Sequence, residues 1–288
     1  MKTNFDCVTC IVRQTLDALR QVTSDEAVIE RILRSTLSTA AGIDYSMSPA
    51  EIGTILHRKI REETGNQDPY LEIKNKANKA ARGLLPFLRR MVEDSPNPFA
   101  TAVKYAIAGN VFDFALFTQK DKDVFRKSLG EVHTKELDPF KLYDLRSKIF
   151  AAKSILLIGD NAGEVVFDRL LLEQFPSTKI YYAVKSKPAI NDVLRADAIF
   201  AGIDQYAEII SNGNDAAGTV LAQCSPEFMD VFCNVDLVIA KGQGNYETLN
   251  NCDREIFFLT QIKCNTVAHD LQGAIGDWVV AQSVPRLN

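Results

Sequence analysis

Nowhere in the 288 residues does an apolar run approach the ~20 needed to cross a bilayer, so no membrane span is expected. The opening "MKTNFDCVTC" lacks the apolar stretch of a signal peptide, and a cytoplasmic location is the expectation. Basic clusters are missing too. The net charge is −4, the pI is about 5.5 and the lysines and arginines are scattered. That excludes the electrostatic footprint of a nucleic-acid binder and the polybasic segment of a membrane-surface protein. Histidine is scarce: His57, His133 and His269 lie far apart, which gives a zinc-enzyme triad no support. The glycines show no G-x-G-x-x-G spacing, so a dinucleotide fingerprint is absent. A small molecule is the expected partner, and the oligomeric state is left open.

What is present divides into two regions. Residues 1–148 read as an all-helical domain, with apolar residues three and four apart in "CIVRQTLDALRQV" and "AEIGTILHRKIREETG". Ser48 before Pro49 marks the start of the second of these helices. Further helices are predicted in "YLEIKNKANKAARGLLPFLRRMVED" and "NPFATAVKYAIAGNVFDFA". Residues 149–288 alternate short apolar runs with helical ones. The runs "SILLIGD", "KIYYAVKS", "AEIISNG", "DLVIAKG" and "NTVAHDL" are continuous, as parallel strands covered on both faces would be. "EVVFDRLLLEQF" and "GTVLAQCSPEFMDVF" read as helices between them. The predicted fold is α/β: a doubly wound, mainly parallel sheet behind an N-terminal helical domain.

Ligands of such sheets gather beyond the carboxyl ends of the strands. Here those ends are polar: Asp160 and Asn161 in "GDNAGE", Asn191 and Asp192 in "AIND", Ser211 to Gly213, and "KGQGNYE" at 241–247. Alone, "GDNAGE" is satisfied by a capped strand-to-helix turn, and "KGQGNYE" by a loop. Their recurrence at one edge points to a site. Asp160, Asn161 and Asp192 are hard oxygen donors suited to Mg²⁺ or Mn²⁺. Gly163 would let backbone approach a ligand, and the helix beginning near Glu164 would offer N–H groups to an anion. Lys241, the Gly242–Gly244 backbone and Asn245 suit phosphate oxygens, with Lys263 a second candidate cation.

In this order, "GDNAGE", "AIND", "KGQGNYE" and "FLTQIKC", with "AGNVFDF" at 108–114, the chain resembles the damage-control phosphatases, also called domain of unknown function 89. The likeness covers nearly the whole chain. It implies a metal-dependent phosphatase of small phosphorylated metabolites, using Mn²⁺, Mg²⁺, Co²⁺ or Ni²⁺. Asp160, Asn161 and Asp192 would bind the metal, Asn110 and Asp113 would line the site, and Lys241, Asn245 and Lys263 would face the phosphate. Asp160 is the preferred proton acceptor. Glu164, which follows Gly163 immediately where eukaryotic relatives space their acidic residue differently, is the other catalytic candidate. Cys7 and Cys10 resemble the C-x-x-C of the mainly prokaryotic branch. Without a second such pair a closed zinc site is incomplete, and without a βαβ pattern thioredoxin-like chemistry is disfavoured, leaving ordinary thiol packing as the expected role.

Two rivals stand beside this reading. An S-adenosylmethionine-dependent methyltransferase also seats its cofactor above a parallel sheet, but "GDNAGE" has too few glycines in the wrong places. A metal- or metabolite-binding sensor would need the same ligands without turnover.

Overall fold

The computed structural model describes residues 1–111, 130, 132 and 134–283. The first helices follow the apolar spacing of the sequence: α1 (Phe5–Val22), α2 (Glu26–Ala41), α3 (Pro49–Thr64), α4 (Leu71–Glu93, running through Pro86) and α5 (Pro98–Ala108). Ser48 starts α3 with a reciprocal cap. Its Oγ accepts from Glu51 N at 3.3 Å, and Glu51 Oε2 accepts from Ser48 N at 2.8 Å. A cap of this kind contributes about 1 kcal/mol. Helix α6 (Pro139–Ala151) then leads into the sheet.

The strands are β1 (Ser154–Ile158), β2 (Lys179–Val184), β3 (Glu208–Ser211), β4 (Leu237–Lys241), β5 (Ile256–Gln261) and β6 (Trp278–Gln282), in the order β3-β2-β1-β4-β5-β6. The first five run parallel and β6 is antiparallel to β5. This is the mixed α/β, mostly parallel architecture the sequence predicts. Between them lie α7 (Glu164–Leu172), α8 (Arg195–Ala201), α9 (Pro226–Asn234), α10 (Gly242–Leu249) and α11 (Asn265–Leu271).

Three details differ from the sequence reading. "NTVAHDL" is helix α11, with Val267 its one fully buried residue, and the fifth strand lies earlier in "IFFLTQ", whose side chains are buried on both faces. Both segments are short and apolar, so their composition does not separate them. "KGQGNYE" is not a loop: Lys241 ends β4, Gly242 breaks the strand at φ 78°, and α10 begins there. In "GTVLAQCSPEFMDVF" the α-helix is confined to Pro226–Asn234, started by Ser225, whose Oγ accepts from Phe228 N at 3.2 Å.

Each face of the sheet has its own core. Ile155 and Leu157 of β1 pack with Leu88, Ala106 and Phe167 of α4, α5 and α7, while Leu156 and Ile158 pack with Phe228, Tyr246 and Val267 of α9, α10 and α11. That double burial is why the strands read as continuous apolar runs. One core therefore continues from α4 and α5 into the sheet. Helices α1–α3 carry smaller clusters and tie to the loop after β3 through Arg58 Nε, 3.0 Å from Asp215 Oδ1, and Thr54 Oγ1, which accepts from Ala217 N at 3.0 Å. These contacts hold α3, with α1 packed against it through Cys7, Ile11, Ile52 and Leu56, over the strand ends. No helix among the described residues is long and apolar enough to cross a membrane.

Candidate active site

The strand order reverses between β1 and β4, and the crevice there is where ligands of such sheets bind. A cavity of about 450 Å³ opens at that point, between the strand ends and the faces of α1 and α3. Asp160, Asn161 and Asp192 line its floor. Two chain segments bring them together: an antiparallel backbone bridge pairs Asn161 with Asp192, and Ala162 N donates to Asn191 O at 2.9 Å. Beside them Ile190 holds φ at 47°, a left-handed conformation uncommon for a β-branched residue, and it too faces the cavity.

Asp160 is set by close packing. Its Oδ2 accepts from Asn110 Nδ2 at 2.6 Å and Asn161 Nδ2 at 2.7 Å. On the other side the carboxylate lies against Gly242, where any Cβ would stand 1.8 Å from Oδ2. Burial, with Asp192 nearby, pushes the Asp160 carboxyl up to about 6. Burial raises Asp192 likewise to about 6, opposed by Lys185, whose Nζ lies 3.3 Å from Asp192 Oδ2. That distance makes an ion pair without hydrogen-bond alignment, so Asp192 Oδ2 is a buried oxygen lacking a hydrogen bond.

Glu164 opens α7 and points into the protein. Its Oε2 accepts from Asn110 Nδ2 at 2.9 Å and Asn161 Nδ2 at 3.3 Å, and its Oε1 from Lys241 Nζ at 2.6 Å. Burial pushes it up to about 7 against the pull of Lys241. Lys241 also donates to Ala106 O at 2.8 Å and to Asp168 Oδ1. Burial alone would lower its pKa, yet Asp168 and Glu164 hold the ammonium above its ordinary value.

The expectation that Lys241 and Asn245 face a phosphate has no counterpart in this geometry. Lys241 is 0% exposed with its three N–H donors engaged. Asn245 straps the strand ends together, donating to Gly159 O at 3.1 Å and Lys241 O at 2.8 Å while accepting from Thr219 Oγ1 at 2.7 Å. Neither lines the cavity, nor do Glu164 and Asn110, the latter standing behind it and reaching the site only through its bond to Asp160. Lys263 does. Asp113 and His133 lie outside the described residues. The N–H groups ahead of α7 are taken within the protein, Gly163 N by Asn78 Oδ1 at 2.7 Å and Ala162 N by Asn191 O.

Sequence reading also missed residues. Asn78 of α4 reaches the turn before α7 and donates to Asp197 Oδ1 at 2.7 Å; nothing in "KNKANKAA" marks it out. Asp168 did leave a signal, because it follows Glu164 by four residues and so shares its helical face. His57 lines the cavity, and burial lowers it to about 4, so it is neutral. Cys7 and Cys10 line the cavity as free thiols, and burial raises the Cys10 thiol.

The donor set fits a hard divalent cation. Asp160, Asn161 and Asp192 offer oxygens from one floor, and Asp192 Oδ2 lacks a hydrogen bond. Among the described residues no three His, Cys, Asp or Glu side chains are grouped as metal ligands, so the Asn161 amide and non-protein oxygens would complete the shell. Charge argues the same way. Asp6, Asp17, Asp160, Asp192 and Glu247 line the cavity against one lysine, Lys263, among the described residues. An anionic ligand needs more positive charge than that wall supplies.

Comparison with known proteins places the chain beside a family of phosphatases. A family profile described as the damage-control phosphatase ARMT1-like domain matches residues 3–279. An uncharacterized protein of Methanocaldococcus jannaschii is 36% identical across 97% of this chain and 95% of its own length. A protein of Archaeoglobus fulgidus named damage-control phosphatase is 34% identical across 97% of this chain and 98% of its own. The crystal structure of a DUF89 family protein from Pyrococcus horikoshii superposes with a TM-score of 0.89 at 32% identity, covering 99% of this chain and 100% of the other.

Proposed function

The chain belongs to the damage-control phosphatase family with the ARMT1-like domain, and from that premise we propose that it is a divalent-metal-dependent phosphomonoester hydrolase acting on small phosphorylated metabolites, such as sugar phosphates or damaged phospho-metabolites. The observation that carries the reading is the pair of buried carboxylates, Asp160 and Asp192, joined with Asn161 on the floor of a cavity otherwise too acidic for a phosphate. The cavity volume of about 450 Å³ lies in the range of small-molecule sites.

In this reading Asp160, Asn161 and Asp192 hold the cation, which would be Mn²⁺, Mg²⁺, Co²⁺ or Ni²⁺. Such an ion supplies Lewis-acid polarisation of a phosphoryl oxygen and lowers the pKa of a water it binds. Asp160, which lines the cavity floor, accepts a proton from the attacking water. Lys263 at the rim balances charge on the phosphoryl oxygens. Phosphoryl transfer asks the protein mainly for placement and charge, and the bonds from Asn110 and Asn161 to Asp160 supply placement. Helices α1 and α3 wall the far side, where the alcohol portion of the ester would lie.

The test is phosphate release from an aryl phosphate and a sugar-phosphate panel, using chelator-stripped protein resupplied with each metal singly. Asp160→Asn and Asp192→Asn are run alongside. Turnover that needs metal and disappears in both variants is expected. Folded protein that binds metal without releasing phosphate from any ester would overturn the hydrolase reading in favour of a sensor.

A further inference from the structure

Four side chains behind the cavity floor form a closed polar chain that the proposed hydrolysis does not itself use: Tyr182, Asp168, Lys241 and Glu164. We propose that Lys241 and Asp168 are positioning residues that decide which end of the Asn161 amide is turned toward the cation site. The inference rests on the metallophosphatase reading above.

The argument starts from the two amides. Asn110 Nδ2 and Asn161 Nδ2 each sit between the same two carboxylate oxygens, Asp160 Oδ2 and Glu164 Oε2. An NH₂ group carries two hydrogens, and each amide donates one to either carboxylate. The nitrogen ends are therefore fixed toward the carboxylates. Asn161 lines the cavity, so its carbonyl oxygen is what this side chain has left to offer a hard cation. A flipped amide would present N–H to the metal and repel it.

What keeps Glu164 in place as the second acceptor is Lys241. Its ammonium has three hydrogens and three acceptors: Glu164 Oε1, Asp168 Oδ1 and Ala106 O. Asp168 is itself fixed, because its Oδ2 accepts from Tyr182 OH at 2.7 Å. Lys241 and Asp168 are both 0% exposed, so water cannot substitute for a lost partner. Without Lys241, the Glu164 carboxylate has no cation beside it, and each amide keeps only Asp160 Oδ2 as a held acceptor, so its orientation is less firmly imposed.

Charge alone predicts the opposite result, which makes the proposal testable by sign. Removing a lysine near a cation site should tighten metal binding if Lys241 acts only through its field. Loss of the positioning contact should weaken it. The experiment is calorimetric titration of Mn²⁺ into chelator-stripped wild type, Lys241→Met and Tyr182→Phe, with thermal unfolding of each. Lys241→Met is expected to weaken Mn²⁺ binding at least about tenfold, the scale of effects from groups that orient metal ligands. Tyr182→Phe changes no charge at neutral pH and is expected to weaken binding in the same direction but by less than Lys241→Met, because it acts one contact further from the ligands; it decides the matter if Lys241→Met does not fold. Unchanged or tighter binding in Lys241→Met, or unchanged binding in Tyr182→Phe when that variant alone is folded, overturns the inference. A Lys241→Met protein with intact Mn²⁺ affinity but a raised KM would return Lys241 to the phosphate. Wild type that binds no Mn²⁺ would instead sink the metal reading on which the inference stands.

Discussion

Replacing Gly242 with alanine tests the position of Asp160 by adding one methyl group. Gly242 sits at φ 78°, where an L side chain costs about 1–2 kcal/mol. The new Cβ would stand 1.8 Å from Asp160 Oδ2 and 2.7 Å from Oδ1, so the carboxylate must retreat by more than 1 Å. That retreat breaks the bonds from Asn110 and Asn161, at 2.6 and 2.7 Å. A buried hydrogen bond to a charged acceptor is worth about 1.5–3 kcal/mol, so the two lost bonds and the strained backbone together should make Gly242→Ala cost about 4–8 kcal/mol. Gly65 supplies the control: it ends α3 at φ 68° with no atom within 4 Å of its added Cβ. Gly65→Ala should cost about 1 kcal/mol and leave the site untouched. Urea denaturation gives both stabilities, and metal-dependent phosphate release gives the activities. A misplacement of ~1 Å commonly costs on the order of a hundredfold in rate, and that loss is expected in Gly242→Ala and not in Gly65→Ala. A folded Gly242→Ala protein with wild-type turnover would refute the claim that Asp160 acts from this position.

Two further outcomes follow from the same geometry. Lys263→Ala should raise KM for a phosphate ester about tenfold while leaving Mn²⁺ affinity no weaker, because Lys263 lines the cavity without being a ligand; weakened Mn²⁺ binding would contradict that placement. His57 is buried with its pKa lowered to about 4 from 6.5, so its contribution is fully present above the unfolded pKa and is lost as the pH falls through that window. Between pH 7 and pH 5 wild type should therefore lose about 2 kcal/mol more than His57→Gln in urea melts. The raised carboxylates Asp160, Glu164 and Asp192 act in the opposite direction, but both proteins contain them and their effect cancels in the difference. Equal pH dependence in the two proteins would mean that His57 is not held neutral.

The cavity floor was legible because its residues sit where chain grammar changes. Asp160 and Asn161 follow β1 directly, and Asp192 lies in the turn after β2, so an apolar run ending in polar residues marks both without any knowledge of contacts. Cysteine usage was less informative. The C-x-x-C pair read as thiols packed on a helix; Cys7 is buried, but Cys10 is exposed, and both line the cavity. The fifth strand was misplaced because "IFFLTQ" and "NTVAHDL" are both short and apolar; only pairing with β4 separates them, with Val238 opposite Ile256 and Ala240 opposite Phe258.

By itself the sequence determined most of the alternation of strands and helices and the polar edge of the sheet, because those depend on residues near one another in the chain. Tertiary structure decided the direction of each polar side chain. Lys241 and Lys263 both read as candidate cations for a phosphate, and in the structure each lies at or just beyond a strand end. Lys241 is enclosed by Ala106, Glu164 and Asp168, contributed by α5 and α7, whereas Lys263 emerges beside the cavity. A buried ammonium must find acceptors for its three hydrogens, and partners 73, 77 and 135 residues away are settled only when the helices pack onto the sheet.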